Sequence, residues 1–365
     1  MRILLTLFVS CHNLLYQLCY LLFLQKKKII FISRRGRELN EDFALLQSHL
    51  SDYEIITISM KDDGSFRSNI QLLWLSLKSC ILLATCRVCV LDGYWATVSV
   101  LKNKKFKVVQ IWHSIGKIKQ SGYQTLNKTS GRSRLIADVL RMHRNYDVII
   151  SGGQFWEQYY VESFGVEKGI IKPYGLPRID NILNNQDDYK QMFQDKYPLL
   201  LNKPIVLYAP TFRKGYDFDF NQLADNFDFD KFNLVIKLHS NSNVAITNSN
   251  VYICEDVSTR IVMSVAEYVI TDYSSVVLEA MINQKKVYHF IPDYKEYLQH
   301  NGLNIDMLKL YPELCFTEKD AVMNVLNSKY PYDTLSKYRK IFFPDDVGNS
   351  TKRIADLIKQ YFNQV

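Results

Sequence analysis

Four apolar runs in the chain end in residues that can move protons or hold phosphate. "VVQIWHSIG" leads into His113, "VLYAPTFR" into Thr211 and Arg213, "LVIKLHS" into His239, and "YVITDYSSVVLEAM" into Asp272, Ser274 and Ser275. An arginine offers phosphate oxygens a planar bidentate fork, and a histidine donates to them or takes a proton from an attacking hydroxyl. Hydroxyls at a strand-to-helix junction, beside unpaired N–H groups and the positive end of a helix dipole, suit phosphate as well. Together these groups fit a phosphoanhydride donor, with Arg213, His239, Ser274 and Ser275 on the phosphates and His113 as the base. Each also has a plainer reading. A single histidine is usually a satisfied structural residue, and a serine before a helix caps it for about 1 kcal/mol with no ligand present. The case rests on all four segments sharing one position, the end of a strand.

Other chemistries find little footing. The chain contains no P-loop, G-x-G-x-x-G, H-E-x-x-H or G-x-S-x-G. Acidic pairs such as Asp345 and Asp346 sit in a polar stretch, so no protein-bound metal and no cofactor is expected. The seven cysteines follow no regular framework, which points to a reducing compartment. Cys86 and Cys89 lie in "CRVCVLD", a strand-like run that would turn them to opposite faces.

The elements that must carry these residues are parallel strands alternating with helices. "KIIFISRR", "YEIITISM", "RVCVLDGY", "KVVQIWH" and "YDVIISGG" read as strands, spaced by helical stretches such as "NEDFALLQSHL" and "NIQLLWLSLKSC". A Pro-, Gly- and Asn-rich stretch over 173–203 breaks the pattern. It resumes with "PIVLYAP", "FNLVIKLH", "NVYICE", "EYVITD" and "KVYHFIP", with "TRIVMSVA" and "SVVLEAMIN" as helices. At 365 residues the chain suits two doubly wound domains, 26–180 and 181–365, with ligands at the carboxyl ends of the strands in a central cleft. Gly116 and Gly122 allow close backbone approach around His113.

Residues 3–24 are apolar and long enough to cross a bilayer. Ser10, Asn13 and Gln17, however, draw a polar stripe along that helix, which favours residues 1–25 lying in the membrane interface over a span or a buried helix. The net charge of +8 gathers at Lys26–Lys28, Arg34–Arg37, Lys102–Lys107 and Arg132–Arg144, suiting an anionic surface, and the lysines after the apolar run keep the rest of the chain in the cytoplasm.

Taken in order, "QIWHSIG", "YAPTFR", "KLH", "TDYSSVVLEA", "YHFIPDYKEYLQHNGLNID" and "DDVGNSTKRIADLI" resemble the motifs of the CDP-glycerol glycerophosphotransferase family of teichoic acid and capsule synthesis. The resemblance covers roughly residues 28–365. It implies a GT-B type α/β fold of two Rossmann-like domains with parallel sheets, an acceptor half and a CDP-donor half, at the cytoplasmic face of the bacterial membrane. It further implies transfer of a polyol phosphate from CDP-glycerol or a related CDP-polyol to a lipid-linked saccharide acceptor, with CMP released and no nucleic acid involved. Carried over, His113 is the general base, and His239 with Thr211, Arg213, Asp272, Ser274 and Ser275 holds the donor pyrophosphate. Ser114 and Ser240 stand where the family usually has glycine and proline, which reads as altered substrate fit. The chain's brevity for a polymerase of the family favours a single transfer. A nucleotide-sugar glycosyltransferase and a non-catalytic assembly scaffold are the alternative readings.

Overall fold

The computed structural model describes residues 1–365 except 24–26, 37, 62–63, 129–130, 214, 240–241, 243 and 365. Lys26, Arg37 and Ser240, named above, therefore lie outside the described residues.

Two compact units divide the chain. The first comprises Met1–Ile115, Ser121–Asp180 and Phe343–Val365, and the second Gly116–Gln120 and Asn181–Phe342. The expected division between 180 and 181 coincides with the observed one, while residues 116–120 go with the second unit and 343–365 return to the first. The last helix, Ser350–Gln364, belongs with the first unit because Asp180 accepts from the Ser350 and Thr351 N–H groups (3.1 and 2.6 Å) and Ile354, Ile358 and Phe362 are buried.

The first unit is built on β1 (Lys28–Ser33), β2 (Glu54–Ser59), β3 (Cys86–Leu91), β4 (Lys107–Gln110), β5 (Val148–Ile150) and β6 (Ile171–Lys172). All pair in parallel in the order β2-β1-β3-β4-β5-β6. Ile29 to Ile32 and Val88 to Leu91 are fully or almost fully buried, as expected of parallel strands covered on both faces. The second unit's strands are β7 (Ile205–Tyr208), β8 (Asn233–Ile236), β9 (Tyr268–Thr271), β10 (Lys286–Phe290) and β11 (Cys315–Phe316). They too are all parallel, in the order β11-β10-β9-β7-β8. In each sheet the order reverses once, between β1 and β3 and between β7 and β9. Such switch points open a crevice at the strands' carboxyl ends.

Two expectations are corrected. "NVYICE" is no strand and keeps only a bridge from Tyr252 to Val235. The stretch over 173–203 is largely helical, in Pro177–Asn184 and Gln186–Lys196; Pro177 at a first helical position costs no hydrogen bond, and Phe193 is buried. The N-terminal helix α1 (Arg2–Leu22) packs on the first unit along one side. After α2 (Glu41–Ser48), helix α3 (Phe66–Thr85) lies against α1, and the His12 Nε2 meets the Ser76 hydroxyl at 3.1 Å. Asn13, from the polar stripe, donates to the Val100 carbonyl and accepts from Lys102 N–H. Tyr16 and Cys19 are buried with it. The opposite side of α1 leaves Leu4, Leu7, Leu14, Leu18 and Leu21 exposed.

Candidate active site

In the first unit the chemistry gathers around His113, just past β4. The carbonyl of Asp92, beyond β3, lies 3.1 Å from His113 Nδ1. A carbonyl only accepts, so Nδ1 carries the proton and the lone pair falls on Nε2, the tautomer a general base requires. Two further contacts fix the ring. Trp112 adopts a left-handed φ of 57°, a conformation that costs a bulky residue of order 1–3 kcal/mol. It is held there by the buried Gln110 side chain, which accepts from Trp112 N–H (2.9 Å) and donates to the Gly93 carbonyl (2.9 Å). Arg178 donates to the His113 carbonyl at 3.1 Å while its other nitrogens grip the fully buried Asp42. Gly122, at φ 59°, makes a close approach, but to Ser163 and not to His113: a Cβ there would come 2.1 Å from the Ser163 carbonyl.

Asp92 adds a titratable group under this site. Its Oδ2 accepts from Ser33 Oγ (2.6 Å) and Asn40 Nδ2 (2.8 Å), and its Oδ1 has no hydrogen-bond partner among the described residues. Burial pushes its pKa up to about 6, against the Ser33 hydrogen bond and the charge of Arg35. The native state therefore binds more protons than the unfolded chain between roughly pH 4 and 6, so this group's stabilisation is present at pH 4 and lost as pH rises through 6. Asp92→Asn is expected to remove that loss, about 2 kcal/mol, so that the variant gains on the wild type between pH 4 and 6.5 in thermal melts. Parallel pH profiles for the two proteins would exclude a raised Asp92.

In the second unit the expected residues converge at the β7–β9 switch point, but their roles divide. Thr211 N–H donates to both oxygens of the wholly buried Asp272 (2.9 and 2.8 Å), joining the ends of β7 and β9. The Arg213 guanidinium turns inward. It donates to Asp272 and the Thr211 carbonyl through one terminal nitrogen (2.6 and 2.7 Å) and to Asp293 through Nε and the other (2.6 and 3.2 Å). Its side chain is 2% exposed. Burial works against this charge, yet the two carboxylates outweigh it and hold the pKa above the ordinary arginine value. The Arg213 fork, expected on phosphate, is thus engaged by two acids in this structure, and Arg213 also helps line the cavity described below. Tyr216 and Tyr273 hydroxyls also donate to Asp293 (2.7 and 3.0 Å), and His289 Nδ1 donates to the Asp272 carbonyl (2.6 Å).

Other polar groups remain nearer the surface. Lys119 Nζ donates to Thr211 Oγ1 at 3.2 Å, and burial lowers its pKa to about 8, opposed by Asp272 and aided by Arg213. The Lys117 and Lys119 carbonyls both accept from Asn304. His239 is exposed, with its ring 6.2 Å from that of Phe212. Ser274 Oγ accepts from Val276 N–H (3.3 Å), whereas Ser275, at the N-cap of Val276–Ile282, makes no side-chain cap. Beside them Phe212, Tyr216, Phe218 and Ser242 help line a cavity of about 450 Å³ that also admits Asp217 and Asp219. Lys119 and Asp293 were not singled out from sequence, although the alternating lysines after His113 and the acid in "FIPDYKEY" were available signals.

Residues 14–360 match the family described as CDP-Glycerol:Poly(glycerophosphate) glycerophosphotransferase. The chain belongs to that family. This glycerophosphotransferase chain is 27% identical to the teichoic acid ribitol-phosphate primase of Bacillus spizizenii, over 93% of both chains. It is 26% identical to the teichoic acid glycerol-phosphate primase of Bacillus subtilis, over 78% of this chain and 76% of the primase. Among solved structures, the wall teichoic acid polymerase TagF, as a histidine-to-alanine variant, superposes with a TM-score of 0.72 at 18% identity, covering 100% of this chain and 98% of that one. A UDP-GlcNAc 2-epimerase from Methanocaldococcus jannaschii, solved with UDP-GlcNAc and UDP, shares the fold more distantly (TM-score 0.55, 14% identity, 91% and 99% covered). The two-sheet α/β fold is accordingly GT-B-like, and the glycerophosphotransferase family places the chain among the transferases of teichoic acid synthesis.

Proposed function

We propose that the protein transfers glycerol phosphate, or a related polyol phosphate, from its CDP ester to a hydroxyl of a lipid-linked saccharide, at the cytoplasmic face of a bacterial membrane. The observation that carries this reading is the His113 ring, whose Nδ1–H is tied to the Asp92 carbonyl so that Nε2 is the basic atom. The acceptor oxygen attacks the β-phosphorus as its proton passes to Nε2. The bond from that phosphorus to the oxygen of the leaving phosphate breaks, and CMP departs with the electron pair. On the donor side, His239, Lys119, Thr211 Oγ1, Ser274 and Ser275 hold the pyrophosphate, with Arg213, Asp272 and Asp293 setting their positions beneath. The aromatic cavity by Phe212 suits the flat face of cytosine. Likeness to the two primases supports transfer of one or a few units. Incubation with CDP-glycerol, CDP-ribitol and membrane lipid acceptors, followed by mass analysis, is expected to show CMP and an acceptor heavier by one polyol phosphate. Sugar transfer from a nucleotide sugar, or nucleotide binding without turnover, would overturn the reading.

Membrane association is proposed to run through the exposed side of α1. Leu14 and Leu18 are 63% and 46% exposed, so Leu14→Glu/Leu18→Glu is expected to keep the melting temperature while abolishing co-sedimentation with anionic vesicles. Unchanged pelleting would exclude α1 as the contact, and resistance to alkaline carbonate would make it a span. Deleting α1 altogether is a poorer test, because His12, Tyr16 and Cys19 are buried in the first unit.

A further inference from the structure

The first unit holds a second cavity, of about 350 Å³, that the chemistry above does not use. It opens at the β1/β3 switch point. Phe8 of α1 and Leu72 and Leu73 of α3 form its apolar wall, Tyr94 and Trp95 follow β3, and Arg34, just past β1, and Arg132 bring positive charge. Arg132 stacks over the Tyr94 ring at 5.0 Å, and the charges of both arginines act on the Tyr94 phenol. Its size and make-up, apolar walls with a few convergent charges, are those of a ligand site.

Two neighbours say which ligand. On one side the wall continues outward: Leu73 is 51% exposed and stands in a stripe with Phe66, Ile70, Trp74, Leu77 and Ile81 along α3. Six large apolar residues at helical spacing on a solvent face suit an apolar phase, not water. On the other side an aromatic chain leads to the proposed base. Tyr94 contacts His143 at 5.4 Å, His143 contacts Trp112 at 6.1 Å, and Trp112 contacts His113 at 4.2 Å between ring centroids.

We propose that this cavity binds an anionic amphiphile, its phosphate beside Arg34 and Arg132 and its aliphatic chain running out along Phe8, Leu72 and Leu73 to the exposed stripe. This assignment rests on the reading of the first unit as the acceptor side, and names where the lipid phosphate of that acceptor is held. Guanidinium groups recognise phosphate by charge-assisted hydrogen bonds, and the apolar wall adds chain burial, so head and tail contribute separately and can be removed separately.

The test is direct binding by the full chain, read by tryptophan fluorescence, since Trp95 lines the cavity. Dodecyl phosphate below its micelle concentration is expected to bind saturably. Dodecyl maltoside, which keeps the tail, and inorganic phosphate, which keeps the head, are each expected to bind at least about 10-fold more weakly. Arg34→Gln/Arg132→Gln should weaken dodecyl phosphate by about 30-fold, and Leu73→Glu, at an exposed position that folding tolerates, by a similar factor, with CDP-glycerol affinity unchanged in both. Equal binding of dodecyl maltoside, displacement by inorganic phosphate, or wild-type affinity in both variants would overturn the assignment. The two readings fail separately. Selective dodecyl phosphate binding without CMP release from any acceptor would sink the transferase reading alone, whereas turnover on a short soluble acceptor with no dodecyl phosphate binding would sink the cavity alone.

Discussion

His113→Ala is expected to lower kcat by about 10²–10⁴ while the affinity for CDP-glycerol changes little, because the imidazole acts on the acceptor's proton and not on the donor. Asp92 and Arg178 hold the ring and its backbone from two sides, so the loss comes from the base itself and not from a rearranged loop. The conservative His113→Asn keeps an amide that can still bond the Asp92 carbonyl but supplies no basic nitrogen; it should be as slow as alanine. Single-turnover measurements of CMP release, with donor affinity by calorimetry, separate the two quantities. Near-normal kcat in either variant would remove His113 from the mechanism, and a donor affinity that collapses with kcat would move it to the donor side.

Arg213→Ala is expected to destabilise the second unit by about 3–5 kcal/mol, because it leaves Asp272 and Asp293 buried with their positive partner gone. For a unit of this size that is a fall in melting temperature of roughly 10 °C. Arg213→Lys should be intermediate, since an ammonium cannot fork across two carboxylates as Nε and both terminal nitrogens do. Asp293→Asn in the Arg213→Ala background should recover part of the loss by removing one orphaned charge, a coupling that a double-mutant cycle reads directly. A variant that melts with the wild type yet binds CDP-glycerol weakly would return Arg213 to the phosphate.

This arginine also shows where the sequence stops being legible. "YAPTFR" marks the end of a strand, and residues at such ends in parallel sheets face the ligand side, so its placement could be read. Its direction could not. The turn inward depends on Asp293, 80 residues downstream, and nothing local to either segment shows that they meet. The same holds for Lys119, whose partner Thr211 is 92 residues away. Strands were readable where four or more apolar residues sit between breakers, as in β1 and β9, because burial on both faces demands such runs. "NVYICE" has the composition without the result: it lies along the edge strand β8 but pairs with it only through the bridge from Tyr252 to Val235. β6 and β11, of two residues each, are too short to leave a periodic signal. For α1, the apolar run was plain but its docked side was not: that side uses His12, Asn13 and Tyr16, polar groups whose partners are Ser76 on α3, Val100 at the end of the helix Ala96–Val100, and Lys105 before β4.

The return of Phe343–Val365 to the first unit sets an order of events during synthesis. A ribosome delivers the chain amino end first, and domains ordinarily fold as they emerge. Here the second unit has every one of its residues once Phe342 is made, whereas the first, begun earlier, still lacks the helix whose Ser350 and Thr351 engage Asp180 and whose Phe362 carbonyl accepts from Arg87 (2.9 Å). The unit started first is thus completed after the second, and the basic residue Arg87 and the acid Asp180 wait for partners until residues 350–362 are made.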